Sequence, residues 1–81
     1  MNKLPKNTQL KQARLKRKVR KPREWTIEAT AKKLDISDNY LTRLENGINS
    51  NPDMEILNRI IKLYGNNDGK KIIQDFLDIE L

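Results

Sequence analysis

In "ISDNYLTRLENG", residues 36–47, four side chains of different hydrogen-bonding character stand at helical spacing: Asp38, Asn39, Thr42 and Arg43. They supply a carboxylate that only accepts, an amide that does both, a hydroxyl and a fork of donors. At about 100° per residue, Asp38, Asn39, Thr42 and Asn46 gather on one side of a short helix, with Arg43 and Glu45 on its flanks. Ile36, Tyr40, Leu41 and Leu44 gather on the other side. Such a helix fills a core with one face; the question is what the other face reads. Covalent chemistry is a poor match. The chain has no cysteine and no histidine, which removes the thiolate metal site, the commonest general base and the usual zinc ligand. There is no glycine-rich phosphate loop, the acids are scattered, and Asp53 with Glu55 reads as a helix N-terminus and not as a catalytic dyad. No enzyme, metal or cofactor is expected.

Charge narrows the partner. Residues 1–23 hold ten of the 17 Lys and Arg residues and none of the 11 acids, so residues 24–81 are net acidic beneath an overall charge of +6. A basic arm of this kind serves an anionic polymer or surface, or is a solvated tail that its charge keeps soluble. A chain of 81 residues suits one domain, which buries only about 60–65% of its unfolded surface. No apolar run approaches the roughly 18–20 residues that span a bilayer. The opening "MNKLPKNTQL" lacks the apolar stretch of a signal peptide. These features predict a cytoplasmic protein with no membrane partner.

The elements that position these groups are all helical. Asn7 or Thr8 caps a first helix to about Val19, with Leu10, Ala13 and Arg14 on one face. "KVRKPRE" interrupts it, since Pro22 cannot sit inside a helix and pushes Lys21 to an extended conformation. Thr26 caps a second helix whose Ile27, Thr30, Ala31 and Leu34 form a buried stripe, and Asp35 ends it. Ser37 caps the third, and Gly47 stops it in the left-handed conformation. Asp53 caps a fourth, with Met54, Leu57, Ile60, Ile61 and Tyr64 as its apolar stripe before Gly65. "NNDG" reads as a turn, and Lys70 to about Ile79 as a fifth helix. The link "LDIS" is so short that the second and third helices must cross steeply, with Leu34 and Ile36 beneath the bend.

"LxISxxYLxRLENGxxxP", spanning Leu34 to Pro52, resembles the helix-turn-helix of Cro/C1-type, phage-repressor-like regulators. The likeness covers about forty residues, "WTIEATAKKLDISDNYLTRLENGINSNPDMEILNRIIKLYG", and extends weakly to "LKQARLK". It implies an all-α fold, a compact four- to five-helix bundle with Ala31, Leu34, Ile36, Leu41 and Leu44 in its core. It implies double-stranded DNA as partner, bound by a homodimer. Asp38, Asn39, Thr42 and Arg43 then face base edges, while Thr26, Ser37, Asn46, Asn49 and Asn51 lie along the sugar-phosphate backbone. Asn39 suits adenine, and Arg43 suits guanine or a phosphate. Asp38 either accepts from cytosine N4 or sits as a first-turn acid at the positive end of its own helix. The likeness also pairs Arg14 with Glu45 as a structural ion pair.

Three features depart from the family. Ile27 stands where a phosphate-binding glutamine is common, and Asp35 replaces the turn glycine. The link "KVRKPREW" is several residues longer than usual, and brings Lys16, Arg17, Lys18, Arg20, Lys21 and Arg23 together. Lys18, Arg20, Lys21 and Arg23 of the insert 18–24 are expected on the DNA backbone, because "GINSNP" has no basic residue. Trp25 is expected to anchor the insert to the core. The division is thus a flexible basic arm (1–7), a DNA-binding domain (8–65) and a C-terminal helix (66–81). On that last helix Ile72, Ile73, Phe76 and Leu77 exceed what one small core absorbs, and are expected at a dimer interface. The function expected is a sequence-specific transcriptional repressor of phage, plasmid or mobile-element type on a palindromic operator, nucleoid-associated in the bacterial cytoplasm. The competing expectation is a helix-turn-helix module that binds a protein partner, as an anti-repressor or antitoxin does. RNA binding ranks third, since exposed aromatics are scarce.

Overall fold

The computed structural model describes residues 8–48 and 52–77. Five helices follow in order: α1 (Gln9–Arg20), α2 (Ile27–Leu34), α3 (Asp38–Glu45), α4 (Met54–Tyr64) and α5 (Asn66–Leu77). Four begin on a side-chain cap. Thr8, Thr26 and Ser37 accept from the amides of Lys11, Ala29 and Tyr40 at 3.1 Å each, and Asp53 from that of Ile56 at 2.9 Å. Each satisfies one of the donors that a helix start leaves open.

The bend between α2 and α3 is made by Asp35, the one non-glycine residue with positive φ among those described (φ 58°, ψ 46°). Its N–H reaches the Lys32 carbonyl at 3.1 Å, and the Ile36 N–H reaches that of Ala31 at 3.0 Å. This is the Schellman pattern, closed here by aspartate where glycine is usual. α3 ends the same way: Gly47 (φ 71°) donates to Leu44 at 3.3 Å, and Ile48 to Arg43 at 3.0 Å.

Leu10, Ala31, Leu34, Leu41, Leu44, Ile60 and Ile72 are fully buried in one core to which all five helices contribute. α1 and α5 run in opposite directions. The Gln9 amide donates to the Asp75 carboxylate at 3.0 Å at one end, and Arg17 pairs with Asp68 at 2.8 Å at the other. Arg59 of α4 donates to the Leu34 carbonyl at 3.2 Å, closing the end of α2.

Three expectations from sequence need correction. "NNDG" is the first turn of α5, not a separate turn, because Gly65 alone makes the corner and the Gly69 amide already bonds its carbonyl at 2.7 Å. In α4, Met54 is 70% exposed, and Ile56 takes the buried place instead. Ile72 has no exposure and belongs to the protomer's own core, so it offers no surface to a second copy. Ile73 and Phe76 are half-buried, while the side chain of Leu77, the arm 1–7 and residues 78–81 lie outside the described set.

Gly65 sits at φ 91°, ψ 170°, a region that essentially only glycine occupies. Gly65→Ala is expected to lower stability by about 1–3 kcal/mol, read as a shift in the urea midpoint. No neighbour lies within 4 Å of the added Cβ, so the loss would report the backbone alone.

Candidate nucleic-acid interface

α3 is held from behind. Leu41 and Leu44 have no exposure, Glu45 has 2%, and Ile36 and Tyr40 pack half-buried against the same core. The Arg14 Nε meets a Glu45 carboxylate oxygen at 2.7 Å, inside the protein on both sides. A second Arg14 nitrogen donates to the Trp25 carbonyl at 3.0 Å. Thr8 donates to the Glu45 carbonyl at 2.6 Å. Thus α1 fixes the end of α3 and the entry to α2 through one guanidinium.

Glu45 feels two opposed effects. Burial is the larger and holds its carboxyl above the ordinary 4.5 of glutamate; the hydrogen bond and charge of Arg14, and the charge of Lys11, pull downward. The folded-state value therefore lies above the unfolded one. The contribution of Glu45 to stability is complete below the unfolded value and fades as pH rises through the folded one. The unfolding free energy of the wild type, minus that of Glu45→Gln, is expected to grow as pH falls from about 7 to about 4. Urea titrations at each pH measure it; a difference that shrinks toward acid would contradict the sign.

The outward face of α3 is open. Asp38, Asn39 and Arg43 are exposed, and among the described residues none of these side chains has a hydrogen-bond or ion-pair partner. Thr42 is half-buried and donates to the Asp38 carbonyl at 2.9 Å. Asn46 ends the helix half-buried, and Ser37 is exposed. The capping oxygens of Ser37 and Thr26 accept from their own helices, which leaves each hydroxyl proton free to donate. Asn49 and Asn51 lie outside the described residues.

The basic insert divides in two. Arg20, Lys21 and Arg23 are exposed and Lys18 is half-buried; Lys21 and Glu24 approach to 3.5 Å at the surface, a pairing of little energetic weight. Arg17 is not part of that free group. It pairs with Asp68, donates to the Tyr64 carbonyl at 2.9 Å, and stacks 4.9 Å from the Tyr64 ring and 5.5 Å from that of Trp25. Trp25, half-buried, packs 5.6 Å from Tyr64, and Lys33 lies 4.0 Å over it while donating to the Glu24 carbonyl. So Trp25 anchors the insert, and Arg17 and Lys33 fasten it on two sides. The role of Arg17 left no mark in the sequence, because Tyr64 and Asp68 lie far along the chain.

Among the described residues, five helices, a two-helix corner turned at Asp35 and an open polar face on its second member define an all-α helix-turn-helix protein. A family model described as "Helix-turn-helix" matches residues 16–67. The chain belongs to this family, the Cro/C1-type helix-turn-helix proteins, which are DNA-binding transcription regulators. No curated protein and no solved structure matches the chain. None of the described helices is long and apolar enough to cross a membrane.

Proposed function

We propose that the protein is a sequence-specific repressor, of phage, plasmid or other mobile-element type, that binds a palindromic operator as a homodimer. One observation carries this reading: Asp38, Asn39 and Arg43 point to solvent without internal partners, while the opposite face of α3 is clamped. A side chain that satisfies nothing inside is available to a base edge, and a helix held by a buried ion pair presents it in fixed register. Ser37 and Thr26 supply hydroxyls at two helix N-termini, where phosphates bind favourably. Asn46, with Asn49 and Asn51 beyond it, extends the contact along the backbone.

The open face of α3 has no net positive charge, so affinity must come from the insert. Lys18, Arg20, Lys21 and Arg23 give the complex its cations. Ile73 and Phe76, half-buried on α5, offer apolar surface for a second copy, whose α3 would reach a half-site about 34 Å away or a multiple of that. Ile72 is taken up by this chain's own core and Ile27 packs half-buried against it, which leaves less apolar surface for a protein partner.

Binding to random duplex is expected to weaken steeply with salt, by a slope of about −0.9 per phosphate neutralised. Arg20→Ala and Arg23→Ala should each flatten that slope by about 1. Fluorescence titration at several salt concentrations measures both, and a flat response would count against the proposal.

A further inference from the structure

The open face of α3 resolves into two columns. Asp38 and Thr42 stand one turn apart in the first, and Asn39 and Arg43 in the second. The Thr42 hydroxyl gives its proton to the Asp38 carbonyl at 2.9 Å, which leaves it an oxygen lone pair and a methyl group to present outward. The Asp38 carboxylate has no partner among the described residues and carries only acceptors. The first column therefore accepts and does not donate. Among these four positions the free donors, the Asn39 amide and the Arg43 guanidinium, stand in the second; Ser37 and Asn46 bring further donors only at the two ends of the helix.

Bases sort against such a column. Guanine and thymine present keto oxygens in the major groove, so lone pair would meet lone pair. Adenine offers its N6 amine but sets the N7 acceptor beside it. Cytosine offers the N4 amine with only C5–H beside it on its own ring, the nearest acceptor being O6 of the paired guanine. We infer that Asp38 and Thr42 together select cytosine in each half-site through its N4 amine, Thr42 being held acceptor-only by its bond to the Asp38 carbonyl. This deepens the function proposed above and rests on α3 entering a major groove. A carboxylate that served only the positive end of its own helix would behave differently. It would repel phosphates equally at every sequence.

Selection from a random duplex pool distinguishes these cases, using the full chain as wild type, Asp38→Asn and Thr42→Val, with circular dichroism to confirm that each folds. Asparagine keeps the shape of aspartate and adds a donor; valine keeps the shape of threonine and removes the oxygen. Wild-type sites should carry a fixed cytosine in each half. Asp38→Asn should lower discrimination for that cytosine over thymine or guanine by about tenfold, and Thr42→Val by a smaller factor. N4-methylcytosine placed there in a selected duplex should weaken the wild type more than Asp38→Asn. If Asp38→Asn instead binds all duplexes more tightly with its preferences unchanged, the inference is overturned. Selected sites without a fixed cytosine would overturn it as well, while leaving DNA recognition intact. A pool with no enriched duplex would refute DNA recognition itself, and the inference with it.

Discussion

Arg43→Ala is expected to weaken binding to a selected operator by about ten- to a hundredfold, with thermal stability unchanged. The stability half of this expectation follows from burial. Arg43 is exposed, and no residue among those described bonds its guanidinium, so its removal leaves no orphaned partner inside. The affinity half follows from geometry. Arginine presents two parallel donors that match the O6 and N7 acceptors of guanine, and alanine presents none. Random duplex provides the control. If Arg43 reads a base, affinity for random duplex falls far less than affinity for the operator; if it grips a phosphate, both fall together. Asn39→Ala should show the same pattern at a different base position. Titrations of both variants against both duplexes separate the two roles.

The second large effect concerns architecture. Arg14→Ala is expected to destabilise the fold by about 3–5 kcal/mol, the usual consequence of stranding one member of a buried pair. Domains of this size have only some 5–10 kcal/mol in total, so the variant should be largely or wholly unfolded well below the wild-type melting temperature. Glu45 would be left 2% exposed without its guanidinium, and the Trp25 carbonyl would lose its donor as well. Because a stranded Glu45 escapes its cost by taking up a proton, the loss should shrink in acid. The double variant Arg14→Met with Glu45→Leu should recover much of the stability, since an apolar pair of similar volume avoids desolvating two charges. Urea denaturation of the single and double variants completes the cycle. A loss below about 1 kcal/mol for Arg14→Ala would mean that the pair behaves as a surface contact.

These two effects separate what holds α3 from what α3 offers, and the sequence announces the two unequally. Local chemistry was legible. Thr26, Ser37 and Asp53 mark helix starts because a side-chain oxygen reaches only its own next turn, and Gly47 marks a stop for an equally local reason. The stripe of Thr30, Ala31 and Leu34 follows from helical period alone. What failed depended on distant partners. "NNDG" carries turn-forming residues, yet a Cβ at Gly69 would lie 3.2 Å from the Ile61 side chain. Close packing of α4 on α5 explains that glycine better than a turn does. Ile72 read as surplus because nothing local shows that α5 lies across α1 and α4 and buries it. Arg17 read as one more cation of the insert, and only the fold brings it to Tyr64 and Asp68. The resemblance, not the spacing, joined Arg14 to Glu45, and the structure places them in contact.

The central claim is that the outward side of α3 meets a duplex. The most direct test is a nuclear magnetic resonance titration of the isotope-labelled chain with duplex DNA at low salt. Shift changes concentrated at Ser37 to Arg43, and weaker along Arg20 to Thr26, are the predicted result. Changes confined to α1 and α5, with the amides and side chains of Asp38, Asn39 and Arg43 unmoved at saturation, would contradict it.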